Sequence, residues 1–268
     1  TYHMKENKIN AREVKMIRVA DVAVFPGNGQ VSILSDGDMM PLEGASIIAN
    51  RKDKFHRIYD ASVKVKSRKD YFASGYLDYV DEAGNAQPVR FDALTVDSLS
   101  NTYGVAILGK KEIFGLNRHF NFNGKIELHA NRPYLTFTGG YRMLTECLKA
   151  ENPWVAFSAE LNPADIRLPV AEAMKDTIGD PLIAAVVYSD FFSSVYPAMF
   201  EKPRAWGDTI VATASGFVKY DNAAESFRIG SNDRLDKKSK AGNLLTLDTR
   251  QCILTGEGAV ELGAGLGQ

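Results

Sequence analysis

Metal-binding and disulfide-forming residues are scarce in this chain. Its 268 residues include two cysteines, Cys147 and Cys252, and four histidines. Two cysteines are too few for a disulfide framework, and neither lies in a Cys-x-x-Cys motif or a Cys/His cluster with zinc spacing. They either form one bridge or lie buried as small apolar side chains, and we expect the second alternative. No two histidines have the H-x-x-x-H spacing of a helical metal site, so the sequence predicts neither a metal nor a cofactor.

Long apolar segments and an excess of charge are also absent from the sequence. No stretch approaches the ~20 apolar residues of a transmembrane helix, and residues 1–12 lack the apolar core of a signal peptide. Lysine and arginine number 32 and aspartate and glutamate 33, a net charge of −1. This balance provides no basic surface of the kind that binds nucleic acid, so we expect no nucleic-acid partner. Because no long apolar stretch is present, we also expect no membrane-spanning segment. A local basic cluster is interpreted as a solvated strand edge and consists of Lys64, Lys66, Arg68 and Lys69.

Alternation of apolar and polar residues is the dominant pattern that is present. Hydrophobic residues make up 45% of the chain and charged residues 24%, as in a folded globular protein. A period of two over short runs is typical of strands with one buried face. The clearest runs span residues 61–66, 89–93, 125–129, 134–138 and 209–215. The sequence therefore predicts a mainly β fold of antiparallel, hairpin-rich sheets, arranged as a sandwich or a β-solenoid.

Turn-forming residues between these runs predict hairpins. Pro-Gly-Asn-Gly at residues 26–29 predicts one hairpin, because Gly and Asn tolerate positive φ. Residues 81–85 follow the aromatic run 71–80 and predict a second hairpin with a longer loop. Residues 220–222 predict a third.

Helical patterns are confined to one or two short segments. Residues 169–177 begin with proline, followed by Ala, Glu, Met and Lys, which is compatible with one or two helical turns. Residues 189–200 carry large apolar side chains at a spacing near three and four, which indicates a short amphipathic helix. Pro197 is expected to end that helix early. Between the two segments, residues 182–188 have the length and composition of a buried strand.

Residues that interrupt regular secondary structure near the middle of the chain predict two domains. Glu-Asn-Pro at residues 151–153 precedes the helix-like segments, so we expect a β-hairpin-rich domain over residues 1–150 and a β domain with a short helical insertion over residues 151–268. One continuous sheet is the alternative. The glycine-rich end, residues 256–268, has no charged polar tail, and we therefore expect the chain to be a segment of a longer protein.

No motif of a known enzyme class is present. Residues 104–111 come nearest to a phosphate-binding loop but lack the Ser or Thr that would hold Mg²⁺, and no G-x-S-x-G elbow occurs. His129 and Glu127 share the polar face of a predicted strand, and we interpret them as a cross-strand polar row rather than a general base or a metal pair. We therefore expect a non-enzymatic protein and name no catalytic residue. A hydrolase whose two carboxylates are set by the fold is an alternative that sequence does not reveal.

Aromatic residues are the one feature with a direct functional interpretation. Phenylalanine, tyrosine and tryptophan number 14, 11 and 2, and four of them crowd into residues 71–79. Tyr71, Tyr76 and Tyr79 are candidates for stacking on a ligand, since a tyrosine ring is apolar with a polar tip. Strand parity places Tyr71 and Tyr79 on one face and Tyr76 on the other, unless Gly75 marks a bulge. The alternative is a sheet core with cross-strand aromatic pairs.

A short resemblance concerns residues 212–262. With Ser-Gly-Phe at 215–217, Tyr-Asp at 220–221, Leu-Asp-Thr at 247–249 and Gly-Glu-Gly at 256–258, this segment resembles the envelope β-solenoid modules of the OstA-like lipopolysaccharide-transport family. The resemblance covers under a fifth of the chain, and the N-terminal two-thirds does not match it. It implies an extracytoplasmic location, in the periplasm or at the cell surface.

Two functions remain open from the sequence. The first is a non-enzymatic extracytoplasmic β module of a bacterial cell envelope, acting as a scaffold or as a binding surface for a protein or a polysaccharide. The alternative is a carbohydrate-binding or carbohydrate-active protein that uses the Tyr-rich strand.

Overall fold

Short strands account for most of the chain. The structure, a computed structural model, describes residues 2–3, 8–109, 112–147 and 152–260. The chain is 57% strand and 2% helix, which confirms the predicted mainly β fold of antiparallel sheets. Residues 261–268, part of the glycine-rich end, lie outside the described residues.

The strands within the described residues are β1 (Tyr2–His3), β2 (Lys8–Ala11), β3 (Ile17–Val19), β4 (Val22–Phe25), β5 (Val31–Ile33), β6 (Leu42–Ala49), β7 (His56–Ser67), β8 (Asp70–Val80), β9 (Ala86–Val96), β10 (Thr102–Ile107), β11 (Phe114–Asn117), β12 (Phe120–His129), β13 (Leu135–Met143), β14 (Val155–Leu161), β15 (Leu168–Val170), β16 (Met174–Lys175), β17 (Pro181–Ser189), β18 (Ser194–Glu201), β19 (Thr209–Thr213), β20 (Gly216–Asp221), β21 (Ser226–Gly230), β22 (Leu244–Asp248) and β23 (Ile253–Glu257). A single helical turn, α1 (Asn232–Leu235), separates β21 from β22 and is capped by the Ser231 side chain.

Two compact units share these strands. Unit 1 comprises Thr1–Leu108, Lys125–Phe137 and Asn162–Ala164, and unit 2 comprises Gly109–Gly124, Thr138–Leu161 and Asp165–Gln268. The strands β12 and β13 contribute residues to both units. The predicted division into residues 1–150 and 151–268 stays a prediction.

The principal sheet of unit 1 is antiparallel, with the strand order β12-β10-β9-β8-β7-β6-β4-β3. A smaller sheet has the order β1-β2-β5. The hairpin predicted at residues 81–85 is confirmed, since β8 pairs with β9. Its turn is held by the Asp81 carboxylate, which accepts hydrogen bonds from the N–H groups of Ala83 (2.9 Å) and Asn85 (2.8 Å).

The hairpin predicted at residues 26–29 is wrong. Strand β4 pairs with β3 and β6, whereas β5 pairs with β2 in the smaller sheet. The turn itself forms, with the Gly29 N–H donating to the Pro26 carbonyl (3.2 Å), but it leads the chain from one sheet into another. Gly27 permits this path, because a Cβ there would lie 2.3 Å from the carbonyl oxygen of Gly44 in β6.

A β-bulge interrupts the unit 1 sheet at Asp60. Asp60 in β7 has a φ of +47°, and the pairing of β7 with β8 shifts register between Tyr59 and Ser62. The turn between β3 and β4 contacts the turn between β7 and β8, where the Ala20 N–H donates to the Arg68 carbonyl (3.0 Å). Inward side chains of the strands, among them Ile58, Ala61 and Val63 of β7, form the buried core of unit 1.

Two further antiparallel sheets belong to unit 2. One has the order β15-β20-β21-β22-β23, and in the other β17 pairs with β18 and also with β16 and β19. The hairpin predicted at residues 220–222 is confirmed by the pairing of β20 with β21. Residues 212–257 thus fold largely as consecutive antiparallel strands.

Both predicted helices are wrong, and strands replace them. Residues 169–177 contain β15 and β16, and residues 189–200 contain the turn between β17 and β18. In β18 the side chains of Tyr196 and Ala198 are buried while Val195 is exposed, which is the alternation of a strand. The apparent helical spacing arose because two of the aromatic residues, Phe191 and Phe192, lie in the turn. Pro197 is tolerated because β18 pairs with β17 on one edge.

A disulfide bond joins Cys147 and Cys252 in unit 2. The expectation that both cysteines are buried apolar side chains is therefore wrong. The residues are 105 positions apart in sequence, and the fold brings their Cα atoms to 5.1 Å. This proximity depends on tertiary structure, so cysteine number and spacing did not reveal it.

Candidate functional site

Strand β8 divides the three predicted stacking tyrosines between two environments. The side chains of Tyr71 and Tyr79 are 0% and 3% exposed, while Tyr76 is partly exposed on the opposite face. The parity prediction therefore holds through Gly75. Tyr71 and Tyr79 are buried, as in the alternative of a sheet core with cross-strand aromatic pairs. Of the three tyrosines only Tyr76 has an accessible ring, and stacking of a ligand on it stays a prediction.

The two buried tyrosines have structural partners. The Tyr71 hydroxyl lies 2.7 Å from the Thr102 hydroxyl, and burial raises the pKa of Tyr71. Thr102 in turn donates its hydroxyl to the Asp21 carboxylate (2.7 Å). The Tyr79 ring packs edge-on against Phe137, with centroids 5.7 Å apart. Both rings belong to the core of unit 1.

Tyr76 forms the centre of a row that crosses three strands. Its partner in β7 is Tyr59 and its partner in β9 is Arg90. The rings of Tyr59 and Tyr76 are stacked, with centroids 6.0 Å apart and planes at 27°. The Arg90 guanidinium lies 5.9 Å from the Tyr76 ring centroid. Cross-strand register thus assembles an aromatic pair beside a cation.

Two carboxylates hold this row in place. The Tyr59 hydroxyl donates to Asp78 (2.7 Å), and this hydrogen bond raises the pKa of Tyr59. The Arg90 Nε donates to Asp92 (2.8 Å), which raises the pKa of Arg90. Both carboxylates keep a lone pair for further donors. The row therefore presents fixed rings flanked by charged hydrogen-bonding groups.

The same face of β8 continues toward its N-terminal end. Phe72, Ser74 and Tyr76 point outward at a spacing of two, and Phe72 is 44% exposed. Ser74 pairs with Ser62 of β7, whose hydroxyl donates to Glu43 (2.9 Å). Four residues of strand separate the Phe72 and Tyr76 side chains by about 13 Å. We call the surface formed by Tyr59, Ser62, Phe72, Ser74, Tyr76 and Arg90 the aromatic face.

The chemistry of the aromatic face suits a ligand with apolar ring faces and polar edges. Tyrosine and phenylalanine rings stack on the C–H face of a pyranose, while the serine hydroxyls, carboxylates and guanidinium are available to its hydroxyl groups. The bond from the Ser62 hydroxyl to the Glu43 carboxylate lies at this surface and is exposed. The mixture of rings, hydroxyl groups and charges on the face suits the binding of such a ligand.

Sequence reasoning missed Tyr59 and Arg90. Neither is close to Tyr76 in sequence, and their alignment depends on the β7–β8 and β8–β9 registers. The register of β7 includes the bulge at Asp60, which the sequence does not mark with glycine. The hairpin predicted at residues 81–85 pairs β8 with β9, and its register could have placed Arg90 opposite Tyr76.

His129 and Glu127 form part of a cross-strand polar row, as interpreted from the sequence. Glu127 accepts a hydrogen bond from the Tyr103 hydroxyl (2.7 Å) and pairs with Lys125 (3.0 Å). The bond from Tyr103 lowers the pKa of Glu127. Within the described residues, no three His, Cys, Asp or Glu side chains are grouped to hold a metal ion.

A cleft of about 450 Å³ in unit 2 has a lining of mixed polarity. Its polar groups are largely engaged: the Asn243 amide donates to the Thr213 carbonyl (2.8 Å) and accepts from the Ala259 N–H (2.8 Å). The Thr213 hydroxyl donates to the Ala184 carbonyl (2.8 Å). These bonds connect strands, so the cleft offers a ligand few free polar groups.

Comparison with known proteins gives no assignment. No family model, curated protein or solved structure matches the chain. The likeness of residues 212–262 to OstA-like modules therefore stays a prediction. No helix in the described part of the chain has the length and hydrophobicity needed to cross a bilayer.

Proposed function

We propose that this chain is a non-enzymatic binding module of a bacterial cell envelope, located outside the cytoplasm, and that it binds a saccharide on the aromatic face. The stacked Tyr59–Tyr76 pair beside Arg90 is the observation that carries the proposal. Tyr71 and Tyr79 are buried, whereas the Tyr59–Tyr76 pair lies on an accessible face of the sheet that a ligand can reach.

The disulfide supports an extracytoplasmic location. Disulfide bonds form and persist in oxidising compartments such as the bacterial periplasm and cell surface, and are rare in the cytosol. The Cys147–Cys252 bond links segments far apart in sequence, as a structural bond does. A scaffold role in the envelope is compatible with the same fold and requires no ligand.

Saccharide is favoured over other ligands by the mixture of groups on the face. Phe72 and Tyr76 lie about 13 Å apart along β8, which is long enough to contact successive sugar units. The surface between them carries hydroxyl groups from Ser62 and Ser74 rather than apolar side chains. A protein partner would more commonly meet a continuous apolar centre with a polar rim.

A glycan array followed by calorimetry on any glycan that binds tests this proposal. Tyr76→Ala and Tyr59→Ala should each weaken binding by tenfold or more, about 1.4 kcal/mol. Tyr76→Phe should retain most of the affinity because the ring remains. Phe191→Ala is the matched control, since that ring is 78% exposed in a turn of unit 2. Equal binding by wild type and both alanine variants would refute the aromatic face as the site.

A further inference from the structure

Four turns of unit 1 meet around a second concave surface, a cleft of about 470 Å³. Its lining includes three cations, Arg51, Arg68 and Lys69, which come from the β6–β7 and β7–β8 turns. Asp21 of the β3–β4 turn lies between them. We call this surface the basic cleft.

Backbone hydrogen bonds build the basic cleft, so its shape does not depend on long side chains. The Ala20 N–H donates to the Arg68 carbonyl (3.0 Å), and the Arg51 N–H donates to the Asp21 carbonyl (2.9 Å). The Asp21 carboxylate accepts from both the N–H (3.0 Å) and the hydroxyl (2.7 Å) of Thr102, which anchors the β9–β10 turn. Each cation is therefore carried on a turn that is tied to its neighbour.

The cations of the basic cleft are not neutralised. Among the described residues, no ion pair involves Arg51, Arg68 or Lys69. The Arg51 guanidinium donates one hydrogen bond to the Ala20 carbonyl (3.3 Å), which positions it without neutralising its charge. The Asp21 carboxylate accepts two hydrogen bonds from Thr102 and keeps its negative charge. In unit 2, by contrast, Arg167, Lys219 and Arg234 each pair with a carboxylate.

The neighbouring carboxylates Asp53 and Asp97 lie outside the lining of the cleft. Asp97 accepts hydrogen bonds from the N–H groups of Leu99 (2.9 Å) and Asn101 (2.8 Å), and Asp53 accepts from the Asn50 amide (3.0 Å). Asp70 lies 3.9 Å from Lys66, outside the cleft. The lining of the cleft therefore carries three cations and one carboxylate, a local excess of positive charge in a chain whose net charge is −1.

We propose that the basic cleft binds a phosphate group. Two guanidinium groups and one ammonium supply the planar and point donors that phosphate oxygens accept. The sequence interpretation of a solvated strand edge is wrong, because Lys64 and Lys66 lie in β7, an interior strand paired with both β6 and β8. Arg68 and Lys69 lie in the turn that forms the cleft. The phosphate is carried either by a soluble sugar phosphate or by a lipid headgroup, and Leu99, 80% exposed at the cleft, offers apolar surface beside it.

Calorimetry with pyrophosphate and sedimentation with vesicles test the proposal on the full chain. The vesicles contain phosphatidylcholine with or without phosphatidic acid. The triple variant Arg51→Gln/Arg68→Gln/Lys69→Gln should bind at least tenfold more weakly than wild type to whichever probe binds. The matched control, Lys64→Gln/Lys125→Gln/Lys175→Gln, removes the same charge elsewhere and should bind like wild type.

The outcomes separate the source of the phosphate from the site itself. Pyrophosphate binding without vesicle binding assigns the cleft to soluble phosphates, and binding to phosphatidic acid vesicles assigns it to a lipid surface. Equal loss in the triple variant and the control would show charge-driven adsorption and overturn the site. So would the absence of binding to both probes. All six side chains are on turns or outward strand positions, so we expect both variants to fold like wild type. Thermal melting of each variant checks this.

Discussion

Removal of the Cys147–Cys252 disulfide should destabilise unit 2 by several kcal/mol. The bond joins residues 105 positions apart, and the chain-entropy relation gives about 4.7 kcal/mol for a loop of that length. Measured values for disulfides fall between about 2 and 5 kcal/mol, because the unfolded chain retains structure. We therefore expect Cys147→Ser/Cys252→Ser to lose at least about 2 kcal/mol.

Urea unfolding monitored by fluorescence measures this loss. With a slope of about 3 kcal/mol per molar urea, the midpoint of the unit 2 transition should fall by roughly 0.7–1.5 M. A reducing agent should shift wild type to the same extent and leave the double serine variant unchanged. Reduction of wild type breaks the disulfide without introducing serine, so this comparison separates loss of the bond from an effect of the serine side chains.

Two results would refute the reasoning. One is a pair of free thiols in the denatured protein purified without reductant, counted by thiol titration. The other is a wild-type midpoint that does not respond to reduction. Either would also remove the main support for an extracytoplasmic location, since that argument depends on the bond being formed.

The remaining predictions concern the core of unit 1 and the ion pairs of unit 2. Tyr71→Phe should cost about 1 kcal/mol of unfolding free energy, because it removes the hydroxyl that bonds to Thr102 and keeps the ring. Tyr71→Ala should cost about 3–5 kcal/mol, because it removes the buried ring as well. Thermal melts without ligand check both values. Arg167 donates a hydrogen bond to Asp236 and lowers the pKa of Asp236 to about 2. The interaction between the two side chains therefore stabilises the folded state above the ordinary carboxyl pKa, and this contribution is lost as pH falls from about 4 toward 2. As pH is lowered across that window, the urea midpoint of unfolding should fall less steeply in Arg167→Gln than in wild type. An identical dependence of the midpoint on pH in the two proteins would show that the Arg167–Asp236 pair does not contribute to stability.

Local pattern predicted the strands and two of the hairpins correctly. In β7 the alternation over residues 61–66 was sufficient, because Ala61 and Val63 are buried while Lys64 and Lys66 are exposed. At residues 81–85 the aspartate supplies its own turn hydrogen bonds, so local sequence determines the turn.

Tertiary structure decided the features that sequence reasoning predicted wrongly. The turn at residues 26–29 forms, but the partners of β4 and β5 lie elsewhere in the chain. Phe191 and Phe192 lie in a turn between two strands, and their spacing from the apolar residues of the next strand resembles that of one face of a helix. The disulfide and the Tyr59–Tyr76 pair both join residues that local sequence does not bring together, since the first depends on tertiary structure and the second on the bulge at Asp60.

Binding of a glycan by wild type and by Tyr76→Ala, measured side by side in calorimetry, tests the central claim most directly. Our account requires a glycan that binds wild type and Tyr76→Phe, and that binds Tyr76→Ala at least tenfold more weakly while the variant melts like wild type. A full glycan panel with no binding to the folded wild-type chain would contradict the account and leave a scaffold without a saccharide ligand.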